Sequence, residues 1–204
     1  MTRVDPAPGP TAPRVVNLPN ALTVLRLAVV PVLAIVLLQD GGRDDSGRWW
    51  AAVLFVAAIL TDWSDGMIAR RTGTVTEFGK LADPIADKAL TGMALIGLSI
   101  LALLPWWVTV VILARELAVT LLRVWVIRQH GVIPASRGGK LKTVAQSIAI
   151  PAYLLPLSGV LASARWWLMA VAVVLTVGTG IDYFARAIAL RRAAAAGPAT
   201  DTAA

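Results

Sequence analysis

The sequence predicts an all-α integral membrane protein with six transmembrane helices. Hydrophobic residues make up 57% of the 204 residues and charged residues only 15%, with a mean hydropathy of +0.72. An average soluble domain contains about 45–50% apolar and about 25% charged residues. A bilayer core requires about 20 mainly apolar residues per helix. Six apolar stretches of roughly this length therefore predict six spans.

The expected spans follow one another with short connections. They lie near Ala21–Leu38, Trp49–Arg70, Gly79–Leu104, Trp106–Arg128, Leu141–Leu161 and Arg165–Leu190. Together they predict one membrane domain over residues 17–192. Residues 1–16, rich in Pro, Ala and Gly, are expected to be a mobile cytoplasmic tail, and residues 193–204 a disordered one. The absence of cysteine excludes disulfides, thiolate metal sites and cysteine nucleophiles.

The positive charges predict how the chain is oriented in the membrane. With the N-terminus inside, the outer segments Gln39–Arg48, Leu104–Pro105 and Ser158–Arg165 hold only three of the 19 Lys and Arg residues. Three tryptophan pairs fall at the same outer ends, where tryptophan favours the interface. We therefore expect a multi-pass protein of the cytoplasmic membrane with both termini inside. The net charge of +7 suits an anionic leaflet or a phosphorylated substrate better than nucleic acid.

Two pairs of aspartates interrupt the apolar pattern. Asp62 and Asp65 are three residues apart, and Asp83 and Asp87 are four apart, so each pair shares one helix face. If the second and third helices are neighbours, the four carboxylates converge, and a divalent cation offsets their repulsion. Oxygen ligands indicate Mg²⁺ or Mn²⁺. Solvated charges at a helix end are the alternative, but ionisable residues within spans favour a functional site.

Small and cationic residues accompany the aspartates. Gly66 and Ala69 would let a ligand approach the second helix closely, although helix packing is the alternative for Gly66. Arg70 is a fixed cation suited to a diphosphate. Pro84 is expected to kink the third helix between Asp83 and Asp87, which would re-aim one carboxylate relative to the other.

This pattern resembles the signature of the CDP-alcohol phosphotransferases, D-x2-D-G-x2-A-R-x8-G-x3-D-x3-D. Its eight fixed positions are matched by Asp62, Asp65, Gly66, Ala69, Arg70, Gly79, Asp83 and Asp87. The resemblance implies the fold of that family and two Mg²⁺ or Mn²⁺ ions held by the four aspartates. It also implies that Asp87 is the general base and that a CDP-linked lipid is the donor substrate.

The resemblance further implies which residues contact the CDP-lipid. They are Asn20, Thr23, Gly66, Ala69, Arg70, Thr76 and Gly79. For Asn20 and Thr23, which begin the first span, helix capping is the alternative. A homodimer surrounded by membrane lipids is also implied.

Three further segments resemble the phosphatidylglycerophosphate synthases within that family, namely Asn17–Leu27, Ala114–Arg123 and Ile133–Gln146. This implies transfer of the phosphatidyl group from CDP-diacylglycerol to glycerol 3-phosphate, giving phosphatidylglycerophosphate and CMP. An anionic acceptor needs cations near the aspartates. The available candidates are Arg115, Arg123, Arg137, Lys140, Lys142 and Arg186.

Each of these cations also has a simpler interpretation. Arg115 can pair with its neighbour Glu116, and Arg186 can pair with Asp182 at helical spacing. Lys140 and Lys142 can serve as positive-inside anchors.

Two alternative functions remain open from the sequence. The same reaction could use another acceptor, such as inositol phosphate, or phosphatidylglycerol as in cardiolipin synthesis. A divalent-cation transporter ranks lower, because the aspartates cluster toward the cytoplasmic end and Arg70 and Lys88 would repel a passing cation.

Overall fold

The computed structural model describes residues 18–42, 44–72, 76–130 and 137–195, and they form six α-helices. A 3₁₀ turn, Gln39–Gly42, follows the first helix. The helices are α1 Leu18–Leu38, α2 Asp45–Thr72, α3 Glu77–Ile100, α4 Trp106–His130, α5 Arg137–Leu154 and α6 Gly159–Ala195. Residues 1–16 and 196–204 of the expected tails lie outside the described residues.

Each predicted span coincides with one helix, which confirms the all-α fold and the number of helices in the described part of the chain. The third span is shorter than expected and ends at Ile100 rather than Leu104. The chain turns there because the N–H groups of Leu103 and Leu104 both donate to the carbonyl of Leu98. Ala102 adopts the left-handed conformation, with φ at 56°.

The fifth helix also ends early, at Leu154 instead of Leu161. Pro156 disfavours helical backbone at the residue before it, which stops the helix there. Arg48, buried at the start of α2, donates from Nη2 to the carbonyls of Tyr153 at 3.1 Å and Leu155 at 3.0 Å. These bonds satisfy carbonyl groups at the end of α5, because a helix terminus leaves its last carbonyls without intrahelical partners.

Two of the described helices are long and apolar enough to cross a membrane by length and composition, over Asn20–Gly42 and Gly159–Arg192. The other four carry charged residues within or beside their apolar stretches. Examples are Asp62 in α2, Asp87 in α3, Glu116 in α4 and Lys142 in α5.

The core forms where α1 packs against both α2 and α3. Leu33 and Leu37 of α1 are fully buried there with Phe55 of α2. At Gly97 of α3 the helices approach so closely that a Cβ would lie 2.6 Å from Cδ2 of Leu37. α5 packs on α2, α3 and α6, and α4 packs on α3 and α6.

The sequence argument made convergence of the four aspartates conditional on α2 and α3 being neighbours, and among the described residues this packing is at most slight. These two helices do not pack extensively on each other, and both pack instead against α1 and α5. Leu33 and Leu37 of α1 belong to the buried core, and α1 packs on both α2 and α3. The acidic residues of α2 and α3 are therefore brought together through a third helix.

Candidate active site

The first turn of α3 is tied to the first turn of α1 by polar side chains. Thr76 is the N-cap of α3, and its hydroxyl accepts from the N–H of Gly79 at 3.0 Å. The same hydroxyl donates to Oδ1 of Asn20 at 2.8 Å, and both side chains are buried. A Thr cap satisfies one of the free N–H groups at a helix start. Asn20 thus fixes the position from which α3 begins.

Gly79 is required by this arrangement. A Cβ at Gly79 would lie 2.9 Å from Oδ1 of Asn20 and 3.3 Å from Oγ1 of Thr76. It would also lie 3.9 Å from Oδ2 of Asp83, one turn further along α3. A larger residue would therefore displace the Asn20 side chain and disturb its bond to Thr76.

Two aspartates are held by α1 through neighbouring turns of that helix. Thr23 donates its hydroxyl to Oδ1 of Asp83 at 2.5 Å. Arg26 places Nη1 2.6 Å from Oδ1 of Asp62, and only 2% of the Arg26 side chain is exposed. The spacing of three residues between Asn20, Thr23 and Arg26 puts all three on one face of α1. This face organises carboxylates from both α2 and α3.

A cleft of about 630 Å³, counted with its open mouth, lies beside Asp62. Its walls come from α2, α3, α4 and α5. The charged side chains that line it are Asp62, Asp87, Lys88, Glu116 and Lys142. Acidic groups attract metal ions, and a buried lysine attracts a phosphate, so the cleft is suited to a phosphate ester bound with divalent cations.

The family follows from comparison of the whole chain. Residues 16–178 match the family model described as CDP-alcohol phosphatidyltransferase. The chain belongs to the CDP-alcohol phosphatidyltransferase family. This confirms the resemblance that the aspartate pattern indicated.

Three relatives show which members of this family the chain is similar to. A Mycobacterium tuberculosis protein named probable phosphatidylglycerophosphate synthase is 57% identical over 175 residues, covering 86% of this chain and 83% of that protein. The Bacillus subtilis CDP-diacylglycerol–glycerol-3-phosphate 3-phosphatidyltransferase is 41% identical over 185 residues, covering 83% and 94%. A Streptomyces coelicolor cardiolipin synthase (CMP-forming) is 37% identical over 146 residues, covering 70% and 66%.

CDP-alcohol phosphatidyltransferases are membrane-associated and use divalent metal ions. The donor set of this chain fits such ions, because Asp62, Asp83 and Asp87 offer hard carboxylate oxygens. The sequence contains no cysteine and a single histidine, His130 at the end of α4. Among the side chains that the structure describes, no three potential ligands form a metal-binding group.

The structure brings part of the predicted aspartate quartet together. Asp62 and Asp87 line the same cleft, and Asp83 lies against α1. Asp65, Gly66, Ala69 and Arg70 belong to α2, but their side chains lie outside the described ones. The convergence of all four aspartates therefore stays a prediction.

The predicted acceptor cations are spread over several places. Lys142 alone among their described side chains lines the cleft, and Glu116 contacts it there. Nη1 of Arg115 lies 3.1 Å from Oε1 of Glu116, which confirms the internal ion pair between these neighbours. Lys140 is exposed and does not line the cleft.

The remaining acceptor candidates are engaged elsewhere or lie outside the described side chains. Arg123 stacks over the ring of Tyr183 at 5.7 Å. Arg186 pairs with Asp182 at 3.0 Å on the exposed face of α6, as the alternative interpretation expected. Arg137 begins α5, but its side chain is not among the described ones.

Sequence reasoning missed Arg26 as part of the site and treated Glu116 only as the partner of Arg115. The signal for Arg26 was its spacing of three residues from Thr23, which repeats the spacing between Asn20 and Thr23. The signal for Glu116 was that it is the only carboxylate in the sequence of α4, but its contact with Lys142 joins two helices. No spacing within α4 predicts that contact.

Proposed function

We propose that this chain transfers the phosphatidyl group of CDP-diacylglycerol to glycerol 3-phosphate, giving phosphatidylglycerophosphate and CMP. The similarity to the M. tuberculosis and B. subtilis proteins supports this over more than four-fifths of the chain. The structural observation that carries the proposal is the shared cleft, which is lined by Asp62 and Asp87 and also by the buried Lys142.

We infer that Asp62, Asp65, Asp83 and Asp87 hold two divalent ions, Mg²⁺ or Mn²⁺. Such ions supply positive charge to the diphosphate oxygens of the donor when they are bound. The contribution of α1 is to orient the carboxylates. Thr23 donates to Asp83 and Arg26 pairs with Asp62, and partners of this kind fix the orientation of metal ligands.

We take Asp87 as the group that accepts the proton of the acceptor hydroxyl. Its carboxylate lines the cleft that also contains Lys142, which suits an alcohol bearing a phosphate. As the hydroxyl oxygen attacks the β-phosphorus, its proton passes to Asp87. The bond between the β-phosphorus and the bridging oxygen breaks, and CMP leaves.

The CDP moiety is expected to bind at the signature residues of α2. Arg70 and the small residues Gly66 and Ala69 would bind it, as the resemblance implies. Thr23 of α1 donates a hydrogen bond to Asp83 of α3, and Thr76, the N-cap of α3, donates one to Asn20 of α1. The contacts of Asn20, Thr23 and Thr76 with the CDP-lipid stay predictions, and the bonds that the structure shows add a positioning role.

We further infer that all six helices span the cytoplasmic membrane, with the aspartates and both termini at the cytoplasmic side. The three tryptophan pairs support this orientation. Each of the six rings is more than half exposed, as expected for side chains at a lipid interface. The pairs are Trp49–Trp50, Trp106–Trp107 and Trp166–Trp167. Assembly as a homodimer stays a prediction from the resemblance.

This orientation predicts a labelling pattern for single cysteines, since the natural chain contains none. A cysteine at exposed Ser46, between α1 and the body of α2, is expected to react with a membrane-impermeant maleimide in intact cells. A cysteine at exposed Arg192, near the end of α6, is expected to react only after the cells are permeabilised. The reverse pattern, or equal labelling of both, would contradict the inferred orientation.

The acceptor is tested with the purified full-length chain, CDP-diacylglycerol, Mg²⁺ and a panel of alcohols. The panel contains glycerol 3-phosphate, inositol phosphate and phosphatidylglycerol, and both CMP and the lipid product are measured. We expect release of CMP with glycerol 3-phosphate and mass-spectrometric detection of phosphatidylglycerophosphate. Release with phosphatidylglycerol alone would instead support the activity named for the S. coelicolor relative.

A further inference from the structure

Glu116 joins two cations in the wall of the cleft. Its Oε1 accepts from Nη1 of Arg115 at 3.1 Å and also contacts Nζ of Lys142, which comes from α5. All three side chains are largely buried, with 14%, 18% and 10% of Arg115, Glu116 and Lys142 exposed. Two cations share one carboxylate, so this cluster carries a formal charge of +1.

The cluster is anchored on α6 through Arg115. Nη2 of Arg115 donates to Oγ1 of Thr179 at 2.9 Å. The next residue, Gly180, leaves room for the guanidinium stem, because a Cβ there would lie 3.0 Å from Cγ of Arg115. Arg115 is therefore fixed against α6, and through Arg115 the carboxylate of Glu116 is fixed as well.

A lysine side chain is long and flexible, and its ammonium group has no preferred direction of its own. In this cleft the carboxylate of Glu116 determines where the ammonium group of Lys142 lies. Asp87 lines the same cleft, so the ammonium group of Lys142 lies on the same cleft wall as the proposed proton acceptor. Arg115, Thr179 and Gly180 are not themselves part of the cleft wall.

We propose that Glu116 is a positioning residue for acceptor recognition, which holds Lys142 so that its ammonium group meets the phosphate of a small phosphorylated alcohol. This inference rests on the proposed function, because it takes the acceptor to be anionic. It adds that the selectivity for a phosphorylated acceptor depends on the carboxylate of Glu116, which acts on the substrate's phosphate through Lys142.

The test is the Glu116→Gln variant of the full-length chain in detergent micelles. Glutamine keeps the shape of the side chain and removes its charge. We expect the KM for glycerol 3-phosphate to rise by roughly 10–100-fold, the range of one lost charge-assisted contact. The KM for CDP-diacylglycerol should stay unchanged. This separation of the two KM values is one that a general packing defect would not produce.

Thr120→Val is the matched control on the same helix. The Thr120 hydroxyl donates to the backbone carbonyl of Glu116 at 2.7 Å and does not line the cleft. We expect the KM values of this variant to match those of the unmodified chain. Thr179→Val serves as a second variant if Glu116→Gln fails to fold, because it removes the side-chain acceptor of Arg115 and leaves Glu116 in place. It should raise the acceptor KM in the same direction by a smaller factor.

The outcomes separate this inference from the proposed function. An unmodified chain that fails to use glycerol 3-phosphate would contradict the proposed function itself. If the unmodified chain uses glycerol 3-phosphate, but in the variants both KM values rise equally or neither rises, only the role of Glu116 is overturned.

Discussion

Replacing Asp87 by asparagine is expected to lower turnover by about 10²–10⁴-fold, the usual contribution of a general base. Asp87 forms part of the cleft wall. Asparagine keeps the size of this side chain but cannot accept the proton of the attacking hydroxyl. Binding of CDP-diacylglycerol should remain measurable, because the other acidic residues are unchanged. The measurements are the rate of CMP release and equilibrium binding of the donor lipid.

Asp45→Asn is a suitable control for this variant. Asp45 lies in the first turn of α2, at the opposite end of that helix from Asp62. The control should keep the turnover of the unmodified chain. If Asp87→Asn also kept that turnover, Asp87 could not be the base, and another group would have to accept the proton.

The second large effect is expected at the ion pair between Arg26 and Asp62. Asp62→Asn removes a proposed metal ligand and also the carboxylate that lies 2.6 Å from the buried guanidinium of Arg26. We expect turnover to fall by at least about 100-fold, the upper range for loss of one orienting or ligating group. The free energy of unfolding should fall by about 1.5–3 kcal/mol, the range for loss of one hydrogen bond to a charged group.

Arg26→Met separates these two consequences. A methionine of similar length removes the buried cation, so the double variant Arg26→Met/Asp62→Asn should recover much of the lost unfolding free energy. It should not recover turnover, because the ligand is still missing. If the losses of unfolding free energy in the two single variants simply add in the double variant, the two side chains are not coupled. Recovered turnover in the double variant would remove Asp62 from the metal site.

The helices themselves could be predicted from the sequence because each is an apolar stretch bounded by a recognisable break. The early end of α5 depends on Pro156 and on bonds from Arg48, a residue more than 100 positions away. The end of α3 depends on a turn at Leu101–Leu104. Hydropathy alone carries information on the length of an apolar run and not on such contacts.

The acidic site was predictable in its residue types but not in its assembly. Spacing places Asp62 and Asp65 on one helix face, and Asp83 and Asp87 on another. It does not predict which helices pack against each other. The structure uses α1 for this, through Thr23 and Arg26. The link from Glu116 to Lys142 likewise joins α4 to α5. Contacts between helices depend on the packing of all six helices and cannot be predicted from the residue spacing within one helix.

The central claim is that aspartates of α2 and α3 bind two divalent cations in this chain. Binding of Mn²⁺ to the purified protein in the presence of CDP-diacylglycerol, followed by electron paramagnetic resonance, tests it most directly. The account predicts two Mn²⁺ ions per chain, retained in Asp45→Asn and reduced in Asp62→Asn and in Asp83→Asn. Absence of bound Mn²⁺, or a stoichiometry that neither aspartate variant changes, would contradict it.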